Sequence, residues 1–311
     1  MNKKPPLLII AGPTASGKSA LALEVAERIG GALVNADSAQ VYRDLRVLTA
    51  RPTPQDEARA QHRLYGVRDG AEPWSAAAWA EAARAEIARA YIEGRTPVLV
   101  GGTGLYIRTL LDGIAPVPPI DPAVREAVRA RPVEQNAAEL ARLDPEVAAR
   151  LAPGDTQRVA RALEVRLSTG RSLLSWQAER SGGIAPEASV IALALTPPKT
   201  WLDERVRARL DGMFGKEGRA EALALASRGL DPALPIMRAI GVREAIAWAT
   251  GAMPRGEALE AATASTRAYV KRQLTWARTQ APDQWPRRTE PLDAASLSVA
   301  AAELAARAGL S

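Results

Sequence analysis

The sequence predicts an α/β protein, a parallel sheet flanked by helices, with an all-helical domain inserted into it. Three observations lead there. Short apolar runs at 7–11, 32–36 and 97–100 each end in a polar or glycine-rich turn and are separated by helix-patterned stretches. After Pro116, Pro118, Pro119 and Pro122, helical patterns continue without a convincing strand to about Pro186. An apolar run at 190–195 then resumes the alternation, and helical patterns follow over 201–213, 217–228, 242–249 and 263–278. Alternating strands and helices give parallel strands, and such sheets bind ligands at the strands' C-terminal ends. The core is therefore placed at 1–118 and 188–311, and the insertion at 119–187.

The first element is a buried strand at 7–11, entering a glycine-rich turn and a helix at 19–29 whose Leu21, Leu23, Val25 and Ile29 are apolar and which stops at Gly30-Gly31. The second strand, 32–36, ends on Asp37. Ser75 is a suitable cap for a helix in which Trp79, Ala83, Ile87 and Tyr91 recur every four residues, with Gly94 closing it. Trp74, Trp79 and Trp176 are read as core residues. The third strand runs into Gly101-Gly102-Thr103-Gly104, and a helix resumes at 105–111. By this order Lys18, Asp37 and Thr103 should gather at one edge of the sheet.

Composition bounds the function. The 311 residues are 47% hydrophobic and 24% charged, with no run of about 18 apolar residues, so a soluble protein without membrane association is expected. The start, MNKKPPLLIIAG, has the basic tip and apolar stretch of a signal peptide, but the glycine-rich turn follows at once and favours a buried strand. The absence of cysteine excludes disulfides and thiolate metal sites and suits a cytoplasmic setting, and a single histidine, His62, excludes histidine-rich metal clusters. A net charge of +6 suits a polyanionic partner.

The chemistry begins at Gly12-Pro13-Thr14-Ala15-Ser16-Gly17-Lys18-Ser19, which fits GxxxxGK[ST] between a strand and a helix. Backbone N–H groups in such a loop wrap phosphate oxygens at a helix N-terminus. Lys18 neutralises the oxygens, and the Ser19 hydroxyl can ligate a phosphate-held Mg²⁺. The motif makes the core P-loop NTPase-like. It does not distinguish a nucleotide from another diphosphate ester, because both present the same terminal phosphates. Asp37, at the end of the second strand, faces this loop and is placed for a general base; an aspartate there could equally bind the acceptor hydroxyl of a kinase or cap the next helix.

Asp37-Ser38-Ala39-Gln40-Val41-Tyr42 together with the phosphate loop resembles the tRNA dimethylallyltransferase (isopentenyltransferase) family. Further matches are Thr49-Ala50-Arg51-Pro52, Val100 through Tyr106 (VGGTGLY), Gln157 through Val165 (QRVARALEV) and Lys271 through Trp276 (KRQLTW), in family order from about residue 8 to 280. The sequence departs from the family at Leu48, usually glycine, at Ala78, often acidic, and at Val242, usually aromatic. The resemblance implies a P-loop core with an inserted helical domain. It implies transfer of a dimethylallyl group from dimethylallyl pyrophosphate to N6 of the adenosine 3′-adjacent to the anticodon, in tRNAs reading codons that begin with U.

Carried over residue by residue, Asp37 is the base, Thr103 positions the adenosine, and Arg209 joins Gly12 to Ser19 on the pyrophosphate, with Mg²⁺ at Ser19. Locally Arg205 and Arg209 lie four apart on one helical face, which could also be a solvated basic face. The implied tRNA anticodon stem-loop contacts are Asp37 with Ser38, Ala39, Gln40 and Thr103; Arg125; Gln157, Arg158, Val159, Ala160 and Arg161; Arg238 and Arg243; and Lys271 and Arg278. Arg267, Tyr269 and Trp276 add charge and stacking surface to the last of these helices, with a core role as the alternative for the aromatics. A monomer is expected, since tRNA offers one acceptor site. Two other functions fit part of the sequence: an ATP-dependent P-loop small-molecule kinase, which leaves the basic helices without a task, and a non-catalytic RNA-binding protein, which leaves Lys18, Ser19 and Asp37 without one.

Overall fold

The computed structural model describes residues 4–309. The chain divides into two compact units, residues 1–110 with 185–311, and 111–184. The second unit thus spans 111–184 where the sequence pattern suggested 119–187, so it takes in the whole of the proline-rich stretch.

The first half of the chain contains β1 (Pro6–Ala11), α1 (Lys18–Ile29), β2 (Ala32–Asn35), α2 (Pro54–Arg59), β3 (Gln61–Arg63), α3 (Ala76–Ile92), β4 (Pro97–Gly101) and α4 (Gly104–Asp112). The second unit is built from α5 (Pro122–Ala130), α6 (Val133–Leu143), α7 (Pro145–Ala149), α8 (Thr156–Thr169) and α9 (Leu173–Ala178). The chain then forms β5 (Ser189–Leu195), α10 (Lys199–Met213), α11 (Lys216–Ser227), α12 (Val242–Ala249), α13 (Arg255–Thr279), β6 (Arg287–Arg288) and α14 (Ala294–Arg307).

The strands form one sheet in the order β3-β2-β4-β1-β5-β6, with every pair parallel. β1 lies inside the sheet and is covered on both faces, so Leu7 through Ile10 are fully buried and the strand reads as a continuous apolar run. One face packs Leu8, Ile10, Val98, Val100 and Leu193 against Leu21 and Val25 of α1 and Leu304 of α14. The two outer strands escape pattern reading. β3 is the polar tripeptide Gln-His-Arg and β6 only two arginines, and both take their strand geometry from pairing with a neighbour.

Local chemistry sets the ends of α3. Ser75 adopts an extended backbone and its hydroxyl accepts the Ala78 N–H, while Gly94 beyond the helix has φ 69°. Trp79 is fully buried and stacks on Tyr106 with ring centroids 4.4 Å apart. Its indole N–H donates to the Asn35 carbonyl at 2.9 Å, tying α3 to the end of β2. Trp74 and Trp176, by contrast, are half-buried: Trp74 lines a cavity, and Trp176 lies under the Arg171 guanidinium at 4.1 Å.

In the second unit α5 to α8 enclose their own core of Val128, Leu140, Val147, Val159, Ala160, Ala162 and Leu163. Val159 and Ala160 are thus committed to packing. Any contact with RNA by this segment falls to Gln157, Arg158 and Arg161, which are exposed. Arg158 is itself 3.4 Å from Asp155, whose carboxylate caps α8 by accepting the Arg158 N–H.

Ala78 occupies the third position of α3, where an acidic side chain would reach back to the cap residue's N–H. Ser75→Ala is expected to cost about 1 kcal/mol, and Ala78→Glu to add roughly 0.5 kcal/mol. Urea unfolding checks both, as opposite shifts of the midpoint at constant slope.

Candidate active site

Three strand ends meet at the carboxyl edge of the sheet. β1 feeds the phosphate loop, β2 feeds Asp37, and β4, lying between them, feeds Thr103. The approach leaves no room for side chains. A Cβ on Gly101 would lie 2.2 Å from the Ala36 carbonyl oxygen, and one on Gly102 would lie 2.7 Å from that of Gly12. The Gly12 N–H donates to Gly101 O at 3.3 Å and the Thr103 N–H to Ala36 O at 3.2 Å, closing the edge.

In the phosphate loop Gly12, Pro13, Ala15, Ser16 and Lys18 are buried, Thr14 and Gly17 half-buried and Ser19 exposed. Gly17 precedes α1 at φ 87°, and Ala15 also takes a left-handed φ of 65°. The Lys18 ammonium folds back over the loop and donates to Pro13 O at 3.1 Å. The Ser16 hydroxyl is buried with no hydrogen-bond partner, which leaves it available to a phosphate oxygen. Two arginines of α10 close over the loop, on the face where their four-residue spacing put them: Arg205 Nε donates to Ala15 O at 2.9 Å, and Arg209 Nη1 is 3.5 Å from Thr14 Oγ1.

Asp37 is held by a buried polar residue that precedes it by two. The Asn35 amide accepts the Asp37 N–H at 2.8 Å and donates to Asp37 O at 3.1 Å and Leu64 O at 3.0 Å. Asp37 Oδ1 accepts the Ala39 N–H at 2.9 Å. Thr103 Oγ1 accepts the Ser38 N–H at 3.1 Å, so the threonine turn and the aspartate turn are joined. Gln40, proposed as an RNA contact by resemblance, spends its amide on Thr49 O and Ala50 O, both at 2.9 Å, and shapes the following loop. That loop is also pinned by Glu221, whose carboxylate accepts the N–H groups of Arg46, Val47 and Leu48 at 2.7 to 2.9 Å. Leu48 fits there without a left-handed φ, which accounts for a position where glycine is dispensable.

Two cavities flank this edge. One, of about 730 Å³, is lined by Lys18, Ser19, Arg51, Tyr65, Arg205 and Arg209 among others. The other, of about 340 Å³, is lined by Asp37, Ser38, Tyr42, Trp74, Tyr106, Arg209, Arg238, Tyr269 and Arg272 among others. Arg209 borders both. Burial pushes the Lys18 ammonium down to about 8, against the pull of the Asp37 carboxylate, with Arg209 reinforcing the decrease. Burial likewise works against the Arg209 charge, and Asp37 supports it. The Tyr106 and Tyr269 hydroxyls are pushed well up, first by burial, with the Asp37 charge adding to it, so both stay neutral donors.

Sequence reasoning missed one residue that joins the halves. Gln273 of α13 is buried; its Oε1 accepts the Thr14 N–H at 2.9 Å and its Nε2 donates to Gly102 O at 3.0 Å. It bridges the phosphate loop and the glycine turn of β4. The available signal was a glutamine four residues after Tyr269 on the same helical face, within KRQLTW. Tyr269 is half-buried and lines the Asp37 cavity, and the Trp276 ring packs on Gly104, where a Cβ would lie 2.4 Å from it. Arg238, Arg243, Lys271 and Arg278 are exposed, whereas Arg267 lies 3.7 Å from Asp203.

A phosphate cradle opposed by a carboxylate, with an arginine bordering both chambers at one edge of a parallel sheet, is the layout of a P-loop group-transfer enzyme. The family model described as IPP transferase matches residues 40–280, and the chain belongs to that family. It is 55% identical to a tRNA dimethylallyltransferase of Sphingopyxis alaskensis over 92% of this chain and 94% of that protein. It is 50% identical to one of Zymomonas mobilis over 91% of each. The crystal structure of a full-length tRNA isopentenylpyrophosphate transferase from Bacillus halodurans superposes with a TM-score of 0.70 at 29% identity, covering 98% of this chain and 97% of that one. Among the described residues no helix is long and apolar enough to cross a membrane.

The lowered Lys18 value carries a sign. Between about 8 and 10.5 the unfolded chain binds more protons than the folded one, so this group's contribution to stability rises with pH across that window. A bound diphosphate favours the ammonium and draws the proton back. Affinity for an organic diphosphate, whose own last ionisation lies lower, should be level below about pH 8 and fall by up to tenfold per unit above it, with proton uptake on binding. Calorimetry in buffers of different ionisation enthalpy measures this; Lys18→Met should abolish the proton uptake, and an affinity flat across the window contradicts the assignment.

Proposed function

We propose that the protein transfers a dimethylallyl group from dimethylallyl pyrophosphate to N6 of the tRNA adenosine 3′-adjacent to the anticodon. The observation that carries this reading is the pair of chambers meeting at Arg209, one lined by the phosphate loop and the other by Asp37 and aromatic walls. The family and its tRNA-modifying relatives supply the substrate identities.

The pyrophosphate occupies the loop from Gly12 to Ser19, under Lys18 and Arg209. The adenine enters the aromatic-lined cavity, and the prenyl C1 lies between them. N6 is a weak nucleophile because its lone pair is delocalised into the ring. As the N6–C1 bond forms, the C1–O bond to pyrophosphate breaks, and the N6 proton passes to the Asp37 carboxylate, whose Oδ1 is fixed by the Ala39 N–H. The departing negative charge is taken up by loop N–H groups, Lys18, Arg209 and the Ser16 hydroxyl. The exposed Ser19 hydroxyl suits Mg²⁺ held largely by the phosphates themselves, since no cluster of three acidic or imidazole ligands exists among the described residues. Bound there, Mg²⁺ would neutralise charge on the leaving group.

On the acceptor side Thr103, Ser38 and Ala39 border the adenosine, and Arg238, Arg243, Lys271 and Arg278 meet backbone phosphates. In the second unit Arg125, Gln157, Arg158 and Arg161 take the same part. Extracting the base from its stack costs a few kcal/mol, which these contacts offset. A kinase would use the loop and Asp37 but not this RNA-facing basic surface.

Incubating the purified protein with unmodified tRNA, Mg²⁺ and labelled dimethylallyl pyrophosphate should label the RNA, whereas ATP-dependent phosphorylation of a metabolite would favour the kinase. Asp37→Ala should lower transfer at least about 10²-fold while donor affinity stays within a few-fold. Loss of donor binding would move Asp37 to the metal side.

A further inference from the structure

One buried carboxylate has no part in the chemistry above. Glu164 on α8 is 1% exposed, yet three arginine side chains converge on it. Arg129 Nε donates to Glu164 Oε1 at 2.8 Å, while Arg125 Nε and Arg161 Nη1 stand 3.9 and 4.0 Å from Oε2. Oε2 itself has no hydrogen-bond partner. Arg125 and Arg129 are one turn apart on α5, whose Val124 and Val128 face the core, and Arg161 is one turn before Glu164.

A single arginine would neutralise this carboxylate. Three guanidiniums around one carboxylate leave an excess of two positive charges, and the arginine side chains stay 44 to 64% exposed. Crowding of like charges is unfavourable within the unit, and exposed ion pairs return little stability. Burying the carboxylate also costs desolvation. What the arrangement does achieve is to draw three planar fork donors to one spot while their side chains stay exposed. Such a cluster matches a phosphodiester, which accepts charge-assisted, bidentate bonds from guanidinium.

We infer that Arg125, Arg129 and Arg161, gathered by Glu164, form a binding subsite for the RNA phosphate backbone, with Arg129 a direct contact and Glu164 a positioning residue. This rests on tRNA being the substrate and adds to it two residues outside the assigned set.

The test is binding of an unmodified anticodon stem-loop across a salt series, beside prenyl transfer by the wild type. Arg129→Gln should weaken binding roughly five- to tenfold near about 0.1 M salt and lower the slope of log affinity against log salt by about 1. Arg129→Lys should recover the slope but not the whole affinity. Arg150→Gln removes an equally exposed arginine of the same unit, paired to Glu146, and should leave the slope unchanged. Glu164→Gln, confirmed as folded by its melting curve, should weaken binding although it adds net positive charge; tighter binding would overturn the positioning role. Wild-type behaviour of Arg129→Gln, or an equal slope change in Arg150→Gln, overturns the subsite while leaving the enzyme reading intact. A wild type that neither binds nor prenylates the stem-loop overturns the reading underneath.

Discussion

The site depends on the close approach of three backbone turns at the carboxyl edge of β1, β4 and β2. Because β4 lies between the other two, its glycine turn must touch both, and Gly101 and Gly102 provide the space. Gln273 then fixes the result by hydrogen-bonding the phosphate loop on one side and the β4 turn on the other. In the proposed reaction pyrophosphate and acceptor are held by different strands, and this contact, together with the Gly12–Gly101 and Thr103–Ala36 hydrogen bonds, sets the spacing of those strand ends. Effective molarity in a two-substrate reaction depends on such separation to a fraction of an ångström.

Electrostatics follow from that geometry. Lys18 and Arg209 are buried cations whose charge is opposed by desolvation and supported by the Asp37 carboxylate. In the proposed reaction a bound diphosphate places further negative charge beside both cations and favours their charged forms. On the proposed mechanism Asp37 serves twice, as counterion to Lys18 and Arg209 and as proton acceptor. The neighbouring tyrosines, kept neutral by burial, can donate hydrogen bonds without adding charge.

Much of this was legible in the residues. The phosphate loop, the strand ending at Asp37 and the glycine turn at Thr103 follow from apolar runs broken by small and polar residues, because buried parallel strands leave that pattern. The helix at 242–249 was delimited to the residue. What was hidden has tertiary causes. β3 and β6 are too short and too polar to announce themselves, and they exist because a neighbouring strand offers hydrogen bonds. Gln273, Asn35 and Glu221 look like ordinary polar residues until the fold brings them against backbone groups far away in sequence. Val159 and Ala160 pack into the core of their unit and Gln40 hydrogen-bonds the loop that follows it, details a motif does not convey: it identifies a segment, whereas burial decides which of its side chains are accessible.

The central claim is that the Asp37 carboxylate and the phosphate loop address the two ends of one displacement. A crystal structure of the protein with a non-hydrolysable dimethylallyl diphosphate analogue and an unmodified anticodon stem-loop tests it most directly. The account predicts a flipped adenine whose N6 lies about 2.6–3.2 Å from an Asp37 oxygen, with the diphosphate under Lys18 and Arg209 and the prenyl carbon between. An adenine stacked in its loop, or an N6 met by another group while Asp37 points to the metal, would contradict it.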